Sequence, residues 1–82
     1  MCTVYALYNS AVDKIYIGQT SDLPTRLIEH NSKRGNHFTA KFEGEWRLIY
    51  KESVTTRSEA LKREKQLKSF RGREYIKQYI PG

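Results

Sequence analysis

Five side chains in this 82-residue chain carry groups that could act together on a phosphodiester. They are Tyr5, Tyr16, Arg26, His30 and Glu64. Hydrolysis of that bond needs an activated water, charge stabilisation on the phosphoryl oxygens and help for the leaving oxygen. A guanidinium offers a fork of donors matched to non-bridging phosphate oxygens. A phenol, ordinarily titrating at about 10, serves as a general base where a nearby cation favours its phenolate. An imidazole is the alternative base, or a group that orients one. A single carboxylate with several waters suits Mg²⁺ (or Mn²⁺), because Mg²⁺ keeps much of its hydration. Each residue alone has an ordinary reading. Strand tyrosines pack on sheets, a lone Arg or His sits on a helix surface, and Glu64 can pair with Lys68 one turn on or with Arg26. The information lies in the combination.

The elements that must position these groups are legible. Val4–Tyr8 and Lys14–Gln19 are short runs rich in Tyr, Ile and Val around a polar turn, and read as a β-hairpin. Pairing Tyr8 with Asp13 puts Tyr5 directly opposite Tyr16, on one face; a slip of one residue would send them to opposite faces. Asp22 is a helix N-cap with Pro24 in the first turn, where its missing N–H is harmless. The helix runs over 23–32, with Leu23, Leu27 and Ile28 on its apolar side and Arg26 and His30 one turn apart on a flank. Lys33-Arg34-Gly35-Asn36 reads as a loop. His37 has no partner in the pattern, and 37–44 is ambiguous. A third strand over 46–54 alternates Trp46, Leu48 and Tyr50 against Arg47 and Lys51.

Thr56-Arg57-Ser58-Glu59 matches a capping box, and a second helix follows to about residue 69. Glu64 falls in its apolar stripe of Ala60, Leu61 and Leu67, where a carboxylate is costly unless paired or bound to a cation. Arg71-Gly72-Arg73 reads as a connection, and a last helix over 73–79 places Tyr75 and Tyr79, like Trp46, in the core. One three-stranded antiparallel sheet flanked by helices, an α+β layer architecture, accommodates all of this.

Length and composition set bounds. Residues 1–82 make one domain with a small core. The 38% apolar and 29% charged residues are those of a soluble globular protein, no apolar run reaches membrane-spanning length, and the N-terminus has no secretory pattern. The one cysteine, Cys2, fits a reducing, cytoplasmic setting. A net charge of +6 points to a polyanionic partner. The basic residues gather in the C-terminal third, where Lys62, Arg63, Lys65, Lys68, Arg71 and Arg73 join Lys33 and Arg34 as candidate phosphate contacts.

Val4-Tyr5, then Tyr16-Ile17-Gly18, then Arg26 and His30, resemble the signature of the GIY-YIG nuclease superfamily, most closely its small single-domain bacterial members and the N-terminal cutting module of the excision-repair nuclease. The first glycine of the motif is Thr3 here; the second, Gly18, is present. The resemblance covers roughly residues 3–79. It implies a fold of a small three-stranded antiparallel sheet flanked by helices. It implies Tyr5 as general base supported by Tyr16, Glu64 as the metal-binding glutamate, and a one-metal hydrolysis leaving a 5′-phosphate.

Two functions follow. One is a metal-dependent endonuclease of low sequence specificity acting on DNA, in repair or recombination, with RNA left open as a substrate. The other is a non-catalytic nucleic-acid-binding module that retains the fold. The presence of both Arg26 and Glu64 favours the first. Target structure, a protein partner and oligomeric state are not readable from the residues.

Overall fold

The computed structural model describes residues 1–32 and 38–81. Lys33, Arg34 and His37, and with them the loop expected at 33–36, lie outside the described residues. Three strands, β1 (Cys2–Asn9), β2 (Lys14–Thr20) and β3 (Arg47–Val54), form one antiparallel sheet in the order β2-β1-β3. Three helices, α1 (Leu23–Ser32), α2 (Arg57–Lys68) and α3 (Phe70–Lys77), complete the α+β architecture expected from the sequence. A 3₁₀ turn, Phe38–Lys41, precedes β3.

Because β1 is the central strand, both of its faces are covered. That is why Val4, Tyr5, Ala6 and Leu7 are all fully buried and read as a continuous apolar run. Val4 and Ala6 meet Ile17, Ala60, Leu67 and Ile76 on the side of α2 and α3. Tyr5 and Leu7 meet Trp46 on the opposite side, with Tyr16, Leu23, Leu27 and Phe42 packed around them. The sheet is thus a thin partition between two small cores.

The hairpin register differs from the expected one. Asn9 pairs with Lys14, Leu7 with Tyr16, and Tyr5 with Gly18. The shift is two residues, so Tyr5 and Tyr16 keep the same face but become diagonal rather than direct neighbours. Asn9 explains the longer ladder. Its buried side chain accepts from the Ala11 N–H at 3.0 Å and donates to the Glu43 carbonyl at 2.7 Å, tying the turn to the segment before β3. Asp13 adopts the left-handed conformation, φ 52°, that closes the loop.

A register shift between β1 and β3 at Ala6/Leu7 breaks the alternation expected in the third strand. Leu48 stands opposite Leu7, and Tyr50 opposite Ala6, so the bulge sends the two to different faces. Leu48 and Ile28 are exposed, as is Leu61, which the expected stripe of α2 had placed inward.

Both caps of the first two helices behave as expected. The Asp22 carboxylate accepts the Thr25 N–H, and the Thr56 hydroxyl accepts the Glu59 N–H. The last helix starts three residues early. Ser69 caps it by accepting the Gly72 N–H, so Arg71, Gly72 and Arg73 form its first turn rather than a connection. Gly72 is there for packing. A Cβ at this position would collide with the backbone of Gln66 and Leu67, so only glycine lets α3 fold back against the end of α2. Trp46 is buried as expected, and so is Ile76, whereas Tyr75 and Tyr79 are exposed and stack with Tyr50 at the rim.

Candidate active site

The site begins at Tyr5, in the middle of the central strand, where no water-facing side exists for its ring. Its ladder partner is Gly18, and the absence of a side chain there makes room for it. A Cβ on Gly18 would stand 2.9 Å from the Tyr5 hydroxyl and 3.0 Å from Tyr16 Cε1. The two tyrosine rings, with centroids 6.2 Å apart, therefore lean together over a glycine.

Helix α1 crosses this face and brings two more groups to it. His30 is the one buried residue of α1. Its ring stacks at a tilt on Tyr16, 4.8 Å between centroids, and its Nε2 lies 2.8 Å from the Tyr5 hydroxyl. Its Nδ1 lies 2.7 Å from the hydroxyl of Thr39, which is also fully buried. The expectation that His30 sits on a flank is corrected here: the flank faces the sheet because Ile28, not His30, is turned to solvent. When Nε2 accepts the Tyr5 hydrogen, Nδ1 carries its own and donates it to Thr39. Thr39 thus holds the Nδ1 edge of the ring, since its hydroxyl can accept from that nitrogen or donate to it.

Thr39 is held in turn. Its carbonyl accepts the Trp46 indole N–H at 3.1 Å, and the Trp46 backbone N–H donates to Asn31 Oδ1 while its carbonyl accepts from Asn31 Nδ2. Residues 31, 39 and 46 form a brace from α1 through the 3₁₀ turn to the start of β3. Sequence reasoning missed Thr39 and Asn31, and no periodicity or spacing marks either.

Arg26, one turn before His30, presents a more telling feature. Its Nε is buried and has no hydrogen-bond partner, the one such side-chain atom among the described residues. The outer end of the guanidinium pairs with Glu29 at 3.3 Å on the surface. A buried donor left unpaired costs about 1–3 kcal/mol, a penalty that an incoming acceptor would remove. A phosphoryl oxygen is such an acceptor.

The electrostatics connect these groups to α2. Burial pushes the Tyr5 phenol far above its ordinary range, and the Tyr16 phenol adds to the rise. The Arg26 guanidinium opposes it through its charge, and the Glu64 carboxylate adds a further upward push. Tyr5 is thus within the field of Tyr16, Arg26 and Glu64 at once. Tyr16 and His30 meet the Tyr5 phenol directly, and Arg26 and Glu64 act on it through charge.

Glu64 itself is half-buried, and its Oε2 accepts from the Lys68 ammonium at 2.6 Å, the one-turn pairing anticipated from spacing. Among the described residues no three His, Cys, Asp or Glu side chains gather as a metal cluster. A cation here would therefore have one protein carboxylate and take its remaining ligands from water and phosphate. That oxygen-only donor set fits a hydrated Mg²⁺, with Lys68 as the internal cation that it would displace.

The basic residues divide into two groups. Lys62, Lys65, Arg71 and Arg73 are exposed. Arg63 is engaged, with Nε donating to Glu52 at 2.6 Å and Nη1 to Gln66. A cavity of about 360 Å³ lined by Ile15, Tyr16, Ile17, Lys68 and Arg73 opens beside Tyr16, so Lys68 and Arg73 border the site directly.

Comparison with known proteins gives the family and the fold. The GIY-YIG catalytic domain family matches residues 1–78. A UPF0213 protein of Staphylococcus epidermidis is 37% identical over 68 residues, covering 83% of this chain and 82% of that protein. One from Staphylococcus saprophyticus is 38% identical over 63 residues, covering 77% and 76%. The solution NMR structure of a UPF0213 protein from Bacillus halodurans superposes on all of this chain and 88% of its own, with a TM-score of 0.56 and 28% identity. The fold expected from the sequence is thus the fold of a similar protein determined in solution.

Proposed function

This chain belongs to the GIY-YIG catalytic domain family, and from that premise we infer that it is a divalent-metal-dependent endonuclease that hydrolyses DNA phosphodiester bonds with low sequence specificity. The observation that carries the reading is the unpaired, buried Nε of Arg26 beside the Tyr5–His30 pair.

In this reading Arg26 Nε donates to a non-bridging oxygen of the scissile phosphate and strengthens its hold as charge develops there. Tyr5 takes a proton from the attacking water as its own hydroxyl hydrogen passes to His30 Nε2, 2.8 Å away. His30 Nε2 keeps the phenol aimed, and Thr39 holds the His30 ring in place through Nδ1. Tyr16 packs against both rings and fixes their angle. The water oxygen bonds to phosphorus, the bond to the leaving 3′ oxygen breaks, and the products are a 5′-phosphate and a 3′-hydroxyl. Glu64 would hold Mg²⁺ or Mn²⁺, which when bound polarises the phosphate and stabilises the leaving oxygen.

Exposed lysines and arginines at 62, 65, 71 and 73, with Lys68 at the rim, supply backbone contacts that position DNA without reading its sequence. Binding should weaken steeply with salt. The test is cleavage of labelled linear, nicked and branched DNAs with Mg²⁺ or Mn²⁺, against EDTA controls and Glu64→Gln. Metal-dependent cutting that the variant loses supports the reading; salt-sensitive binding with no cutting on any substrate supports a non-catalytic binding module instead.

A further inference from the structure

Beside the cavity that borders Tyr16, a larger groove of about 900 Å³ runs between the β1–β2 hairpin and α3. The two share Ile15 and Arg73 in their walls, so the groove is continuous with the rim of the active site. Its most unusual member is Phe70, the first residue of α3, which is 80% exposed. A phenyl ring that far into water is retained at a cost in hydration. Nothing in the packing of α3 requires it, since Ile76 anchors that helix.

The surroundings say what would cover it. Ile15, Ile80 and Pro81 give the groove an apolar floor, and Lys14 and Arg73 supply cations along it beside the paired Lys77. The acids of the same groove are already engaged. Asp13 accepts the Tyr8 hydroxyl at 2.7 Å, and Glu74 pairs with Lys77 at 2.7 Å. Lys14 reaches over the Phe42 ring, 5.3 Å from its centroid. An aromatic face between cations is the arrangement that holds unpaired nucleotides, with bases stacking on the ring and phosphates tracking the charges. Duplex DNA offers no base face to such a ring, because its bases are stacked on each other.

We propose that Phe70 is a stacking platform for an unpaired DNA strand, which runs along the open edge of β2 from the Tyr16 side of the active site, past Arg73, to α3. The substrate class is then DNA with a single-stranded segment flanking the cut. The platform rests on the nuclease reading only for what its track leads to, and its test is a binding experiment that needs no turnover.

The measurement is fluorescence anisotropy in EDTA with a labelled oligothymidine and a labelled duplex of equal length, on wild type, Phe70→Ala and Phe70→Trp. Wild type is expected to bind the single strand more tightly than the duplex. Phe70→Ala should weaken single-strand binding about tenfold while leaving duplex binding within about twofold. Phe70→Trp should restore it and show indole quenching on addition of oligothymidine. Unchanged single-strand affinity in Phe70→Ala, or an equal loss for both DNAs, overturns the platform. So does a change in oligomeric state in Phe70→Ala without a change in single-strand affinity, which would assign the ring to a protein contact. Single-strand selectivity through Phe70 in a protein that never cuts would keep the platform and defeat the nuclease reading. Cutting with Phe70→Ala indistinguishable from wild type in binding would do the reverse.

Discussion

The Tyr5 hydroxyl and His30 Nε2 stand 2.8 Å apart, in the interior, on elements 25 residues apart in sequence. Neither residue could be where it is for packing alone, since a Phe and a Leu would fill the space without a polar group to satisfy. Thr39 extends the pair to a chain of three. Replacing Thr39 by Val removes the hydroxyl while keeping the shape. The expected outcome is a loss of about 1–3 kcal/mol in stability from an unpaired imidazole nitrogen, read by urea denaturation. A larger fall in cleavage rate than in DNA affinity should accompany it, because the His30 ring is no longer held at Nδ1.

Gly18→Ala tests the seating of the two tyrosines. The new methyl would lie 2.9 Å from the Tyr5 hydroxyl and must push it away from His30 or Arg26. A misplacement of about 1 Å in a reacting group costs on the order of a hundredfold in rate. DNA binding measured on the same protein should change little, since Gly18 bears no charge.

Much of this arrangement was legible in the sequence, and the reasons differ by residue. Arg26 and His30 were placed one turn apart because a capped helix has a fixed period. Tyr5 and Tyr16 kept a common face although their register was off by two, because only odd slips exchange faces. The bulge that separates Leu48 from Tyr50 was invisible, since nothing local in Arg47–Lys51 marks it. Gly72 was read as a breaker because glycine disfavours helix interiors, whereas close approach of α2 and α3 demands it. Thr39 and Asn31 were illegible because their roles exist only once three distant segments meet.

Gly72→Ala follows from that last contrast. Its Cβ would meet main-chain atoms of Leu67, which cannot swing aside as a side chain can. The expected result is destabilisation of about 1–3 kcal/mol or more from forced overpacking, seen as a lower thermal midpoint, with Phe70 and Arg73 displaced along with α3.

Stability should also fall in alkali, with the following sign. Burial holds the Tyr5 phenol above its ordinary range, and burial together with the Glu52 hydrogen bond, against the opposing Arg63, pushes Tyr50 up to about 12. An unfolded phenol releases its proton at about 10, so above that pH the unfolded chain binds fewer protons than the folded one. The contribution of each phenol is complete below about pH 10 and declines as pH rises toward the folded value. Urea midpoints between pH 9 and 12 should therefore drop, and Tyr5→Phe should flatten the decline.

The central claim is that Arg26 and Tyr5 act on a phosphodiester. The most direct measurement is the single-turnover rate of Mg²⁺-dependent DNA cleavage by wild type, Arg26→Lys and Tyr5→Phe, with anisotropy binding in the same samples. Lysine keeps the charge but lacks the buried Nε donor, so it is not a neutral exchange. The expected result is a rate lower by on the order of 10²–10³ in each variant, with DNA affinity within a few-fold of wild type. Cleavage at the wild-type rate in either variant, with the fold intact, would contradict the account.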